Sequence, residues 1–244
     1  MDKRAVNIKK YCSLPGEGAN NYPIVSQWLG TDSFENFIKQ SREHQQHWQN
    51  QAPVVYNINK YGFRSDDFPE EECRDSITFI GCSNTVGVGI QKEKAWTTLL
   101  AKKLNLREIN LGIGGGSTDS AFRVYNEWQP IHKSKITCFL LPPSPRLELI
   151  IKGSWRNIGH WSDRDNDMNP EILTCMLDET LNQVRVDRNL SAVKYIAQKT
   201  HSNLVVFEYH AKIKSDFGRD NMHAGPIWHE QIAEEFYNRI KKQE

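Results

Sequence analysis

A serine, a histidine and an aspartate are spaced along the chain in a way that could activate a hydroxyl group. Ser83 follows an apolar run in the turn Gly81-Cys82-Ser83, and His223 comes three residues after Asp220. A serine hydroxyl is a poor nucleophile until a base removes its proton, and a carboxylate can hold the imidazole of that base in the required tautomer. These residue types predict acyl transfer, with Ser83 as nucleophile, His223 as base and Asp220 as its orienting partner.

A run of glycines could supply the oxyanion site that acyl transfer also requires. It reads Gly112-Ile113-Gly114-Gly115-Gly116-Ser117. Backbone N–H groups in such a loop can donate hydrogen bonds to the negative oxygen of a tetrahedral intermediate. The run begins as Gly-X-Gly, but Ser117 occupies the place of the third glycine of a dinucleotide-binding fingerprint, so no cofactor is expected.

Short apolar runs alternate with helical periodicity from Ser76 onwards, which is typical of βαβ units around a parallel sheet. The predicted strands are Ile77–Gly81, Glu108–Leu111, Ile136–Leu141 and Leu204–Tyr209. The predicted helices are Lys94–Leu104, Asp119–Trp128, a region from Asn169 and Pro170 towards Thr200 with a break, and Ile227–Lys241. The pattern predicts a three-layer α/β/α sandwich with a flavodoxin-like parallel sheet.

The loops that follow the predicted strands are expected to meet, because an open parallel sheet binds its ligand outside the carboxyl ends of its strands. These loops are the Ser83 turn, the glycine run, Pro142-Pro143-Ser144-Pro145-Arg146 and the stretch that reaches His223. This convergence favours a nucleophile at Ser83 over a serine that only caps a helix. The neighbouring thiol of Cys82 should point to the opposite face of its strand and is read as a core residue.

Residues 1–70 are predicted to form an extension that packs on a main domain of residues 71–244. The first sixty residues are polar, with one helix-like stretch from Ser33 to Trp48. Val54-Val55-Tyr56 reads as extended chain leading into the main domain. His44 and His47 form a loose His-X-X-His without a carboxylate partner, so no metal site is predicted.

The order of these blocks resembles that of the SGNH or GDSL hydrolases across residues 76–241. Enzymes of that family have a Gly-Asp-Ser turn, an oxyanion glycine, a Gly-X-Asn-Asp loop and an Asp-X-X-His pair before the final helix. The resemblance implies the same fold and a catalytic triad. It assigns the nucleophile, the base and the orienting carboxylate to Ser83, His223 and Asp220.

The resemblance also implies which groups hold the oxyanion. The N–H groups of Ser83 and Gly115 are the expected donors, and Gly114 or Gly116 are alternatives to Gly115 because the assignment rests on counting forward from the second strand. Asn84, in the serine turn, is placed with the substrate-binding residues.

Two departures from the family pattern alter these expectations. Cys82 stands where the family usually has Asp, and Pro143-Ser144-Pro145-Arg146 replaces the Gly-X-Asn-Asp loop. The family's third oxyanion donor, an Asn side chain, is therefore absent, and losing one such donor typically costs about a hundredfold in rate. Ser144 or Arg146 is expected to donate in its place.

The segment from Lys152 to Asn169 follows the third predicted strand and could lie over the pocket. Trp155 and Trp161 would suit stacking on a sugar, or would pack the insertion onto the domain. Its aspartates alternate like the start of a calcium loop, but the Gly and Glu that such a loop needs are replaced. A solvated loop is predicted for Asp163, Asp165 and Asp167.

Composition argues against several classes of partner. The 31 basic and 30 acidic residues leave a net charge of +1, which favours neither nucleic acid nor an anionic membrane. No window approaches the roughly 18 consecutive apolar residues of a membrane span, and no signal peptide is recognisable. The five cysteines are odd in number and scattered, so a reduced, soluble, cytoplasmic protein is expected.

The sequence predicts a serine esterase that acts on a small-molecule or glycan ester. The resemblance suggests a short acyl chain, such as acetyl on a carbohydrate. Two alternatives stay open, namely an O-acyltransferase and a non-catalytic carbohydrate-binding relative that kept the pocket. The oligomeric state is not predicted.

Overall fold

A four-stranded parallel sheet forms the centre of the protein. The computed structural model describes residues 22–151, 154–162, 170–208 and 216–243. The sheet has the order β4-β3-β5-β8, and its strands are β3 (Ser76–Ile80), β4 (Arg107–Asn110), β5 (Ile136–Leu141) and β8 (Asn203–Glu208). In chain order this is 2-1-3-4, the flavodoxin-like arrangement. The predicted fold class is confirmed, and each predicted strand is found within about a residue of its bounds, with Tyr209 outside the described residues.

Side chains of the sheet alternate between two cores, because helices cover both faces. Ile77 and Phe79 of β3 pack into one cluster, whereas Ile80 packs into the other. All five residues of β3 are buried, as expected for a strand in the middle of a parallel sheet. These two cores produce the three layers.

The helices of the two outer layers follow the predicted periodicity. One layer contains α4 (Trp96–Leu104) and α8 (Pro226–Gln243), joined by stacking of the Trp96 and Phe236 rings at a centroid distance of 4.8 Å. The other contains α5 (Thr118–His132) and α7 (Glu179–Lys199), whose apolar residues share a core cluster.

Several helix boundaries differ from the predicted ones. Helix α5 continues through Pro130 beyond the predicted end at Trp128. The predicted break in the long region lies at Asp178, between α6 (Pro170–Leu177) and α7. The Asp178 carboxylate caps α7 by accepting the Leu181 N–H at 2.8 Å, which explains the new start.

The N-terminal region contains two short helices rather than one continuous stretch. They are α1 (Phe34–Phe37) and α2 (Arg42–Gln49), and each begins after a serine N-cap, Ser33 for α1 and Ser41 for α2. Strands β1 (Ile24–Ser26) and β2 (Tyr56–Ile58) form a small antiparallel sheet beside them. A buried cluster joins this region to the residues that precede α4, and its members are Phe37, Trp48, Val54, Tyr56, Ile58, Ile90 and Ala95. The boundary at residue 70 stays a prediction.

An antiparallel hairpin follows the third strand of the central sheet and was not predicted. Its strands are β6 (Leu147–Ile151) and β7 (Ser154–Ile158), and Leu147 and Ile158 pack against Met176 of α6. Between β3 and β4, the one-turn helix α3 (Ser83–Val86) carries the predicted nucleophile, and a 3₁₀ turn (Lys92–Lys94) precedes α4. Among the described helices, none has the length and apolar character needed to cross a bilayer.

Candidate active site

Ser83 lies at the start of α3, immediately beyond the carboxyl end of β3. The chain must turn sharply between Ile80 and Ser83, and Gly81 permits this because a Cβ there would clash with the Thr85 hydroxyl and lie 2.8 Å from the Leu140 carbonyl oxygen. Cys82 is the buried N-cap residue, with a free thiol. As the first helical residue, Ser83 has a backbone N–H without an intrahelical partner, so that N–H is free to bind an anion.

His223 approaches Ser83 from the loop before α8. Its Nε2 lies 2.8 Å from the Ser83 Oγ, and its Nδ1 lies 2.6 Å from Oδ2 of Asp220. The Ser83 Oγ and His223 are separated by 140 positions in the chain, yet they are within hydrogen-bonding distance. The structure thus brings together the three side chains that the motif spacing indicated.

The carboxylate of Asp220 is fully buried and surrounded by hydrogen-bond donors. Its Oδ1 accepts the backbone N–H groups of Met222 at 3.1 Å and His223 at 3.0 Å, and its Oδ2 accepts the hydroxyl of Thr31 at 2.7 Å. Burial by itself raises the pKa of Asp220, but the hydrogen bonds and charge of His223, together with Thr31, outweigh it and lower the pKa to about 2. Asp220 is therefore ionised at neutral pH.

The glycine loop after β4 packs directly on the nucleophile turn. The Ile113 N–H donates to the Gly81 carbonyl at 3.1 Å, and a Cβ on Gly112 would lie 2.7 Å from the backbone nitrogen of Val86. Buried Asn110 joins the loop to α3, since its amide donates to the Thr85 carbonyl at 2.8 Å and its Oδ1 accepts the Gly112 N–H at 2.9 Å. The loop and α3 form one packed unit.

The three candidate oxyanion glycines differ in their surroundings. The Gly116 N–H already donates to the Ile113 carbonyl at 2.9 Å, so it is not available to an oxyanion. Gly115 has φ +67°, a backbone conformation that favours glycine, and a Cβ there would lie only 2.9 Å from the Trp161 ring. Both the backbone conformation and the close contact therefore require glycine at this position. Open space surrounds the position of a Cβ on Gly114. Gly115 and Gly114 thus remain as candidate donors.

The two replacement donors proposed for the third loop are placed differently. Ser144 is exposed, and its backbone carbonyl accepts a hydrogen bond from the Arg185 side chain at 3.2 Å. The Nη1 of Arg146 lies 3.5 Å from the Gly116 carbonyl oxygen, and its guanidinium carbon lies 5.0 Å from the Trp161 ring centroid. Arg146 therefore reaches the glycine loop, whereas Ser144 has no described contact with it.

The hairpin β6–β7 and the residues after it cover part of the glycine loop. The Asn157 amide donates to the Gly114 carbonyl at 3.3 Å, and the half-buried Trp161 ring packs against Gly115. The guanidinium of Arg123 lies 4.7 Å from the centre of the Trp155 ring. Both tryptophans thus pack against other residues of the protein, which is the role given above as the alternative to stacking on a sugar. The aspartates at 163, 165 and 167 lie outside the described residues.

Other predicted residues have mixed positions. Asn84 is half-buried in α3, its carbonyl accepts the Trp96 indole N–H at 3.2 Å, and its Oδ1 has no hydrogen-bond partner among the described residues. The Nε2 of His44 lies within hydrogen-bonding distance of the Arg219 carbonyl oxygen, at 3.0 Å. Within the described ranges, no group of three metal-ligating side chains is present.

Sequence reasoning missed four side chains that support the site. Buried Arg64 donates to the Val86 and Gly87 carbonyls at the end of α3, and burial lowers the pKa of its guanidinium. Thr31 contacts Asp220, and Arg219 forms an ion pair with buried Asp32 at 2.7 Å. No local pattern could have identified them, because each acts on a segment distant in sequence.

Comparison with known proteins returns structures only. No protein-family model and no curated protein matches this sequence. The psychrotrophic esterase EstA from Pseudoalteromonas sp., in a structure inhibited by monoethylphosphonate, is 18% identical with a TM-score of 0.39, over 69% of this chain and 98% of that one. TesA is 13% identical with a TM-score of 0.37, over 68% of this chain and 98% of its own.

A third match is a GDSL-like lipase from Bacteroides ovatus, 17% identical with a TM-score of 0.38, over 72% of this chain and 55% of the lipase. An esterase and a GDSL-like lipase are thus among the proteins that this chain is similar to. Because the identities and TM-scores are low, the chemistry of this chain has to be derived from its own side chains.

Close packing of the glycine loop on α3 predicts that two alanine substitutions in this loop differ in their effect on stability. Gly112→Ala places a methyl group 2.7 Å from the Val86 nitrogen, so we expect it to lower the free energy of unfolding by about 1–3 kcal/mol. Gly114→Ala, in the same loop, meets open space and should change stability by less than about 0.5 kcal/mol. Urea unfolding of both proteins measures this; equal losses of stability would contradict the packing described.

Proposed function

We propose that this chain is a divergent SGNH hydrolase that cleaves a carboxylic ester with Ser83 as nucleophile. The observation that carries the proposal is the continuous chain of hydrogen bonds from the Ser83 Oγ through His223 to Asp220, at 2.8 Å and 2.6 Å. A hydroxyl, an imidazole and an ionised carboxylate in this order are the parts of a serine hydrolase. The location beyond the carboxyl ends of a parallel sheet agrees with a ligand site.

Acylation begins when the Ser83 oxygen attacks the ester carbonyl carbon. The His223 Nε2 takes the hydroxyl proton as the new C–O bond forms, and the Nδ1–H keeps its hydrogen bond to Asp220. The negative charge of Asp220 stabilises the imidazolium that results. His223 then returns the proton to the leaving alcohol as the old C–O bond breaks, which leaves an acyl group on Ser83.

The tetrahedral oxyanion needs donors that are already in place before the reaction. The N–H of Ser83, at the start of α3, is one candidate, and the N–H of Gly115 or Gly114 is the second. Hydrogen bonds from Asn110 and Ile113 hold the glycine loop against α3, so these donors need little reorganisation. A water molecule activated by His223 then releases the acyl group by the reverse sequence.

The proposed substrate is a short-chain acyl ester, such as an O-acetyl group on a carbohydrate. Support for a sugar alcohol comes from Trp161, whose half-buried ring lies against Gly115 beside the proposed oxyanion site. A ring in this position offers an apolar face next to the ester.

Labelling of the purified protein with a fluorophosphonate probe tests the proposed nucleophile. We expect the wild type to be labelled, and Ser83→Ala and His223→Ala to lose both labelling and hydrolysis of an aryl acetate by at least about a thousandfold, because the triad acts as a unit. Ser33→Ala and His47→Ala are matched controls outside the site and should label like the wild type.

The outcomes separate this proposal from its alternatives. Labelling retained in Ser83→Ala would place the reactive residue elsewhere. An unlabelled wild type that still retains an acetylated glycan would indicate a binding module. An O-acyltransferase would be labelled, but adding a sugar acceptor would increase the yield of acylated sugar at the expense of free acid.

A second measurement tests which group replaces the missing Asn donor. Arg146 reaches the glycine loop, so we expect Arg146→Ala to lower kcat by about a hundredfold, the usual effect of losing one oxyanion donor. Ser144→Ala removes an exposed hydroxyl and should keep kcat. Stopped-flow or steady-state hydrolysis of an aryl acetate measures both, with thermal unfolding as a check on folding. If both variants keep full activity, the third loop supplies no donor.

A further inference from the structure

We propose that Thr31, from the N-terminal region, is a positioning residue of this active site that orients Asp220 for His223. The proposal rests on the hydrolysis proposed above, since it assigns a further residue to the same site. Thr31 lies 189 positions before Asp220 in the chain, and neither the family motifs nor the local sequence pattern points to it.

The Thr31 hydroxyl binds the same carboxylate oxygen that His223 uses. Its Oγ1 lies 2.7 Å from Oδ2 of Asp220 and 3.4 Å from Nδ1 of His223. Since an ionised carboxylate only accepts hydrogen bonds, the hydroxyl donates to Oδ2 beside the imidazole N–H. With Oδ1 held by two backbone N–H groups, the second donor on Oδ2 restricts rotation of the carboxylate plane.

A buried ion pair holds Thr31 next to Asp220. Asp32, the next residue after Thr31, has a fully buried side chain and accepts two N–H groups of Arg219, at 2.9 Å and 2.7 Å. Arg219 directly precedes Asp220. Because Asp32 adjoins Thr31 and Arg219 adjoins Asp220, their ion pair fixes the distance between the N-terminal segment and the loop that carries the Asp220 carboxylate.

The ion pair is itself fixed on several sides. The Tyr56 hydroxyl donates to Asp32 at 2.5 Å, and burial together with Asp32 raises the pKa of Tyr56, which keeps the phenol protonated as a donor. The guanidinium of Arg219 lies 3.9 Å from the centre of the Trp28 ring. The Gly89 N–H donates to the Tyr56 hydroxyl, and the Arg219 N–H donates to the Gly89 carbonyl, both at 2.8 Å, which closes the network.

Because this network holds the N-terminal segment in place, the Thr31 hydroxyl contributes little to the fold. Its hydrogen bonds within the described residues go to Asp220 and His223, whereas the Thr31 backbone carbonyl is held separately by the Asn36 amide at 2.8 Å. Removing the hydroxyl alone should therefore leave the fold in place and change the carboxylate.

The charges around His223 determine the sign of the expected pH effect. Besides Asp220, His229 of α8 interacts electrostatically with His223, and it stays neutral because burial, followed by the charges of Arg64 and His223, lowers its pKa to about 3. Arg219, which precedes Asp220 in the chain, is paired with Asp32. Without the Thr31 hydroxyl, Oδ2 of Asp220 has one hydrogen-bond donor fewer, so its negative charge attracts the His223 imidazole more strongly. The imidazolium is then favoured, so the protonated form persists to higher pH.

Three variants test the proposal. Thr31→Val keeps the branched shape but removes the hydroxyl, Thr31→Ser keeps the hydroxyl, and Ser33→Ala removes the nearby cap of α1 without touching Asp220. We expect Thr31→Val to lower kcat/KM for an aryl acetate by roughly 3- to 10-fold and to move its acid limb up by about half a pH unit. Thr31→Ser should restore both, and Ser33→Ala should change only thermal stability.

NMR titration of the His223 imidazole separates this proposal from the proposed hydrolysis, because it needs no turnover. A midpoint that rises in Thr31→Val and returns in Thr31→Ser supports Thr31 even in a protein whose Ser83 does not react with fluorophosphonate. An unchanged midpoint in Thr31→Val overturns the proposal. A rate loss that is equal at every pH, or shared by Ser33→Ala, also overturns it, because a purely structural role would produce that result.

Discussion

The buried ion pair between Asp32 and Arg219 is the interaction on which the geometry of the site depends. It joins a segment near the start of the chain to the loop before the last helix, and both charges are almost fully removed from water. Such a pair adds little net stability, because the desolvation of both ions offsets their attraction. Its geometry is nevertheless strict, since a lone buried charge would cost about 3–5 kcal/mol. The pair therefore specifies where the loop lies more than how stable the protein is.

The parallel sheet provides the second constraint, because it determines which loops can meet. With the order β4-β3-β5-β8, the turn after β3 has the glycine loop on one side and the third loop on the other. The close approach of Gly112 to α3 then converts this topology into atomic positions. Sheet order alone brings the loops together, while side-chain and glycine contacts fix the position of the glycine loop against α3.

The parts of this structure that local patterns could predict are those that local physics determines. The strands around Phe79 and Cys138 are buried on both faces, so their apolar runs are visible in the sequence. Ser83 is predicted from its place after the first of these strands, and Asp220 and His223 are predicted from their three-residue spacing after the last predicted strand. Thr31 and Asp32 were not predictable in this way. Their partners are more than 180 positions away, and nothing in a polar segment indicates which distant loop it will contact.

Prediction also failed where the end of one element depends on a single cap or on a tertiary partner. The stretch from Ser33 to Trp48 has helical composition, but the first helix ends at Phe37 and a second begins after the N-cap Ser41. The β6–β7 hairpin has no tight-turn dipeptide, and its strands are stabilised by packing on α6 rather than by a strong local signal. In both cases the competing contacts lie outside any short window of sequence.

The long side chain of Arg146 in the third loop depends on support from the structure around it. An arginine side chain is long and loses much rotamer freedom when it is fixed, so it needs a surface to lie on. Trp161 offers that surface 5.0 Å from the Arg146 guanidinium carbon, and the same ring packs on Gly115. Asn157 of the hairpin then holds the Gly114 carbonyl. The hairpin region and Arg146 therefore pack together against one side of the glycine loop, so that a change in either is expected to alter the other.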